Sequence, residues 1–74
     1  MVKDRVAIDP DVLGGKPVVR GTRLSVEFVI GLLAEGWTHD EIKNEYPGVT
    51  EEDISACLTY ARDLLGGERV FAAE

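Results

Sequence analysis

The sequence predicts a mainly helical fold, in which a short amino-terminal β ribbon precedes a three-helix bundle. Turn residues and short β-type runs are confined to residues 1–24, whereas three helix-capping signals follow, each leading into apolar residues at helical spacing. The 74 residues are enough for one domain and give it only a marginal core. We divide this domain into residues 1–24, the bundle 25–66 and a short tail 67–74.

The amino-terminal segment predicts two short strands, at Arg5–Ile8 and Pro17–Arg20. In the first strand, Val6 and Ile8 alternate with less apolar neighbours, which is the pattern of a half-buried strand. Pro17 lacks a backbone N–H, so its strand begins there or lies at an edge. Because a two-stranded ribbon is barely stable alone, it must pack on the helices or pair with a second chain.

The first helix begins after the capping residue Ser25, runs to Glu35 and stops at Gly36. Its apolar residues cover about 240° of its circumference, so it is buried on two sides. The second side meets either another copy of the chain, the reading we favour, or the ribbon alone. The predicted homodimer interface consists of Val6, Ile8, Val18, Phe28 and Leu32.

The second helix begins at a capping box formed by Thr38 and Glu41, with Trp37 and Ile42 at the spacing of a hydrophobic staple. It must end before Pro47, because the residue ahead of a proline avoids the helical region.

The third helix begins after Thr50 and ends at Gly66-Gly67. Val49 and Ile54 repeat the staple spacing at its start. Its predicted core stripe contains Ile54, Cys57, Leu58, Ala61 and Leu65.

Composition and charge exclude several classes of protein. With 45% apolar and 30% charged residues the chain is globular, and its longest apolar stretch, Phe28–Leu33, is far too short to span a membrane. Residues 1–4 start no apolar signal sequence, so we expect a cytoplasmic protein. The net charge of −6 argues against a generic nucleic-acid binder. Residues 1–24 are mildly basic and residues 38–65 strongly acidic, which in its simplest interpretation is a solvated acidic face.

Side chains for catalysis or metal binding are scarce. The single histidine, His39, occupies an exposed first helical position, and the single cysteine, Cys57, lies on a core stripe. The carboxylates of residues 51–53 are explained by the helix dipole. Gly14-Gly15-Lys16 is followed by Pro17 rather than Ser or Thr, so it predicts a tight turn and not a phosphate loop. We therefore expect no enzyme, cofactor, metal or small-molecule substrate.

The second and third helices have the dimensions of a helix-turn-helix unit, which suggests DNA binding. The acidic start of the third helix argues against it, because phosphate contacts supply much of the affinity for DNA. The residues that could contact nucleic acid or a protein partner lie on the outer face of that helix and in the amino-terminal segment; they are Ser55, Thr59, Arg62, Lys16, Arg20, Thr22 and Arg23.

The chain also resembles a known bacterial and archaeal family, the domain of unknown function 433. The resemblance covers about residues 6–62, and it is most specific in residues 14–26, GGKPVVRGTRLSV. It continues in residues 8–10 and in Gly36-Trp37-Thr38, Glu41-Ile42, Tyr46-Pro47 and residues 50–54. The resemblance implies a homeodomain-like three-helix bundle and an antitoxin of a type II toxin–antitoxin pair, encoded beside a PIN-like nuclease. It brings no catalytic residues.

Two functional hypotheses follow. In the first, the chain is a dimeric, non-enzymatic antitoxin that binds and neutralises a PIN-like ribonuclease. In the second, it is a DNA-binding regulator that acts on its own operon. The two can coexist in one protein.

Overall fold

The computed structural model of the chain describes residues 5–66. Within this range it contains two short strands and three helices, which confirms the predicted fold class. The elements are β1 (Val6–Ile8), a 3-10 turn (Leu13–Gly15), β2 (Pro17–Val19), α1 (Val26–Ala34), α2 (His39–Glu45) and α3 (Glu51–Leu64). The amino-terminal residues 1–4 and the predicted tail 67–74, with its Gly67 helix stop, lie outside the described residues.

The two strands pair in an antiparallel ribbon, with Val6 opposite Val19 and Ile8 opposite Pro17. Each strand is one residue shorter than predicted, because Arg5 and Arg20 lie just beyond the ladder, where the Arg20 amide donates to the Arg5 carbonyl at 2.8 Å. The connection between the strands is the predicted tight turn, in which residues 13–15 all have positive φ.

All three helices begin at the predicted caps. The Ser25 hydroxyl accepts from the Phe28 amide at 2.9 Å, and Thr38 and Glu41 form the reciprocal capping box of α2. Gly36, with a φ of 97°, ends α1 in the left-handed conformation that favours glycine. Thr50 caps α3 as expected.

The core has two clusters on either side of α1. One joins the ribbon, α1 and α3, and its buried members are Val19, Val26, Val29 and Cys57. The other joins α1, α2 and α3, and its buried members are Leu32, Ile42, Val49 and Ile54. Trp37 packs against the second cluster, which contains Ile42, as the staple prediction requires.

The predicted core stripe of α3 is wrong at two positions, since Leu58 is 44% and Leu65 81% exposed. Asp53 and Ala56 are buried instead. The reason is that α3 contacts β1 as well as α1. The ribbon covers the side of the helix that carries Ala56, and Leu58 lies about 200° around the helix from that residue.

The two apolar sides of α1 are covered largely by the chain's own elements. Val26 and Val29 pack in the cluster that joins the ribbon, α1 and α3, which we call the ribbon cluster, whereas Leu32 packs against α2 and α3. The ring of Phe28 remains partly exposed and meets Tyr46 edge-on, with 5.6 Å between the ring centroids. The interpretation in which the ribbon covers the second side of α1 therefore accounts for most of its apolar surface.

Candidate partner-binding site

The segment that joins β2 to α1 is a tight turn held by one threonine. The Thr22 hydroxyl donates to the Val19 carbonyl at 2.8 Å and accepts from the Leu24 amide at 3.0 Å. The Val19 amide also donates to the Leu24 carbonyl at 2.8 Å. Gly21 has a φ of 85°, a conformation that other residues adopt only with strain. These local bonds give the turn one defined backbone path.

Arg20 and Arg23 flank this turn, and both are exposed. Residues 17–23 divide into three roles: Val18 and Val19 are in the core, Gly21 and Thr22 shape the turn, and Arg20 and Arg23 are exposed. The turn therefore places two basic residues on the surface.

The turn lies beside the connection between α2 and α3. A Cβ added at Gly48 would lie 3.6 Å from the Thr22 methyl carbon, which is ordinary van der Waals distance. The arginine-bearing turn thus adjoins the segment that leads into α3. Two parts of the sequence that differ in charge, the basic amino-terminal third and the acidic helices, meet at this junction.

An ion pair ties the same junction together. The Arg5 guanidinium lies 3.1 Å from the Asp53 carboxylate, whose other oxygen accepts from the Thr50 amide at 2.9 Å. Sequence reasoning attributed Asp53 to the helix dipole and missed both contacts. The available signal was its position three residues after Thr50, which is the spacing of a capping box with Asp in place of Glu.

An acidic surface surrounds the start of α3. Glu51 and Glu52 are exposed in its first turn, and Asp40 and Glu41 are exposed at the start of α2. Glu51 accepts hydrogen bonds from His39 Nδ1 at 2.6 Å and from Lys43 Nζ at 3.1 Å.

These bonds shift two ionisation equilibria. The hydrogen bond from His39, together with that from Lys43, lowers the pKa of Glu51. Hydrogen bonding to Glu51 raises the pKa of Lys43. Both groups therefore stay charged at neutral pH, and His39 serves here as a surface partner of a carboxylate.

The structure does not bring all seven predicted contact residues together. Arg20, Thr22 and Arg23 share one turn, whereas Lys16 lies about 13 Å away at the other end of β2. There its ammonium is 3.3 Å from Glu27.

The candidates on α3 are also separate from one another. Ser55 is exposed near the start of the helix, and Thr59 is half-buried beside an apolar groove. Arg62 lies about 16 Å from the helix start and is paired with Asp63 at 3.1 Å.

Only some of the residues predicted for the dimer interface are available at the surface. Val18 and Leu32 are buried in the chain's own core, and Val6 is half-buried. Ile8 and Phe28 are exposed.

Among residues 5–66, the side chains that could act in catalysis or bind a metal are buried or scattered. Burial raises the pKa of the Cys57 thiol to about 11, so it remains protonated at neutral pH and packs as a small apolar group. Among residues 5–66, no three metal-binding side chains converge on one point. None of the helices in that range is long and apolar enough to cross a membrane.

Fold and site together define a small domain of one ribbon and three helices. Its candidate site lies where the turn between β2 and α1 adjoins the connection between α2 and α3. The chain belongs to the family of proteins of unknown function DUF433, whose profile matches residues 6–61.

The chain is also similar to two further proteins. The uncharacterized protein y4eO of Sinorhizobium fredii is 38% identical over 71 residues. That match covers 93% of this chain and 32% of the relative, so the chain spans about a third of the length of that protein. The crystal structure of a DUF433 member from Anabaena variabilis superposes with a TM-score of 0.80 at 31% identity. It covers 90% of this chain and 66% of the other.

Proposed function

We propose that this chain is a non-enzymatic interaction protein, the antitoxin of a type II pair, which binds a PIN-like ribonuclease and holds it inactive. The observation that carries the proposal is the hydrogen-bonded turn that exposes Arg20 and Arg23 beside the acidic start of α3. The resemblance of residues 14–26 to the family's hallmark run supplies the class of partner.

The charges of this surface suit such a nuclease. A PIN-like enzyme holds divalent metal with carboxylates and attracts RNA through a basic rim. Guanidinium groups bind carboxylates in a bidentate geometry, so Arg20 or Arg23 can occupy the acidic metal site. The surrounding carboxylates of Glu51 and Glu52 then face the basic rim and accelerate encounter.

The test is binding of the full chain to a PIN-like ribonuclease encoded beside it, measured by co-purification and titration calorimetry. We expect a stable complex that loses at least tenfold in affinity in the double variant Arg20→Glu/Arg23→Glu. The matched control is Lys16→Glu, which reverses a charge at the far end of β2 and leaves affinity within about twofold. Failure of the wild-type chain to bind contradicts the antitoxin role. Full binding by the double variant contradicts the proposed surface.

DNA binding to its own operator is the second candidate, because Arg20 and Arg23 adjoin the start of α3, the second helix of the helix-turn-helix layout. The exposed Glu51 and Glu52 oppose it, since they would approach phosphates. Gel-shift titration with the upstream DNA decides this question: binding at about 50 mM salt that weakens steeply as salt rises supports regulation, and its absence at that salt excludes it.

A further inference from the structure

An apolar groove of about 370 Å³ runs between β1 and α3. Apolar side chains make up most of its lining, which also includes Asp63; the other lining residues are Val6, Ile8, Ala56, Thr59, Tyr60 and Leu64. Two of these residues are large and apolar yet mostly exposed to solvent, Ile8 at 61% and Leu64 at 74%. Neither contributes to the two core clusters.

One wall of this groove is an open strand edge. Hydrogen-bonded and non-bonded pairs alternate along an antiparallel ladder, and the Arg20 amide bonds to the Arg5 carbonyl. Ala7 is therefore the next residue bonded to β2, and the N–H and C=O groups of Val6 and Ile8 point away from it. Within residues 5–66 these groups have no backbone partner on that side. Such an edge is a template for another strand.

The carboxylate that lines the groove, that of Asp63, is held in an ion pair. Arg5 is paired with Asp53 on one flank, and Arg62 with Asp63 on the other. The remaining carboxylates of α3, those of Glu51 and Glu52, lie in its first turn. Because the whole chain carries a net charge of −6, two copies repel each other less through a face whose charges are paired than through the acidic starts of α2 and α3.

We propose that a second copy of the chain occupies the groove, with β1 pairing antiparallel with its counterpart across a two-fold axis at Ala7. Val6 of each copy then exchanges hydrogen bonds with Ile8 of the other, and the two ribbons become one four-stranded sheet. Ile8 and Leu64 of each copy enter the groove of its partner. A two-fold interface of this kind uses the same patch on both copies, which a self-complementary strand edge provides. This assembly does not depend on the proposed nuclease.

The test is sedimentation equilibrium of the full chain over a concentration series. We expect a dimer whose dissociation constant rises at least tenfold in Ile8→Lys and in Leu64→Lys. Leu58→Lys is the matched control, because Leu58 is an exposed apolar residue of α3 on the side away from Tyr60 and should leave the dimer unchanged. Both exposed sites tolerate lysine in the folded chain, which circular dichroism checks for each variant.

Hydrogen exchange adds a readout for the pairing itself. The Val6 and Ile8 amides should become protected as concentration rises, while the Leu58→Lys variant behaves like wild type. A chain that stays monomeric, with residues 67–74 or only a nuclease filling the groove, overturns the proposal. So does a dimer that survives both lysine variants. Neither result bears on nuclease binding through Arg20 and Arg23.

Discussion

The Arg5 guanidinium and the Asp53 carboxylate, 48 positions apart in sequence, lie 3.1 Å from each other. Asp53 is almost fully buried and also closes the capping box of α3 through the Thr50 amide. One carboxylate thus starts a helix and fastens the ribbon to it.

Replacing Asp53 by alanine should therefore remove two stabilising contacts at once. We expect Asp53→Ala to lower the free energy of unfolding by about 2–3 kcal/mol, because the Thr50 amide is left unsatisfied and the ion pair with Arg5 is lost. Arg5→Gln should cost about 1 kcal/mol or less, since the Arg5 side chain is 43% exposed. Urea unfolding measures both, with Glu52→Ala as a control expected within about 0.5 kcal/mol of wild type. An equal loss in Glu52→Ala would refute a special role for Asp53.

Two glycines should respond to alanine in opposite directions. Gly21→Ala should destabilise the chain by about 1–2 kcal/mol, because its φ of 85° is unfavourable for any residue with a Cβ. Gly31→Ala should stabilise it by about 0.5–1 kcal/mol, because Gly31 is inside α1 and a Cβ there has nothing within 4 Å. Thermal and urea unfolding of the two variants provide the comparison. The same sign of change in both would contradict the turn geometry.

The Cys57 thiol should be chemically silent in the folded chain. It is fully buried, so a reagent cannot reach the sulfur. Its pKa is raised to about 11, so very little reactive thiolate is present at pH 7. We expect a disulfide reagent to label it only as fast as the chain opens, with rapid labelling in about 6 M urea. Fast labelling under native conditions would show that the ribbon cluster is not closed over α3.

The contacts of Glu51 predict a pH dependence of stability. Its pKa is lowered in the folded chain from an ordinary value of 4.5, so its contribution is present above that pH and is lost as pH falls through the folded pKa. Glu51→Gln should flatten this part of the stability curve measured by urea unfolding. Glu52→Gln, which removes a neighbouring carboxylate outside these hydrogen bonds, is the control. A curve for Glu51→Gln that matches wild type would argue against the prediction.

Most of the fold could be predicted because its signals are local. The caps at Ser25, Thr38 and Thr50 act on amides three residues away, so each is visible in a short stretch of sequence. Gly36 stops a helix through its own backbone conformation.

The site was less accessible to prediction because it depends on which segments meet. Charge alone grouped Lys16 with Arg20 and Arg23, yet β2 separates the first from the other two. The proximity of Thr22 to Gly48 is likewise a contact between two distant turns, for which the sequence contains no periodic signal.

By itself, the sequence determined the order, type and starting residues of the helices and the tight turn between the strands, since these follow from interactions within a few residues. Only the tertiary structure decided that Asp53 is buried and paired, that Leu58 faces solvent and that, within residues 5–66, β1 keeps an open edge beside an apolar groove. Whether a side chain is buried or paired depends on which part of the chain packs against it. For α3 this is decided by the packing of the ribbon, which brings together residues nearly fifty positions apart, such as Arg5 and Asp53.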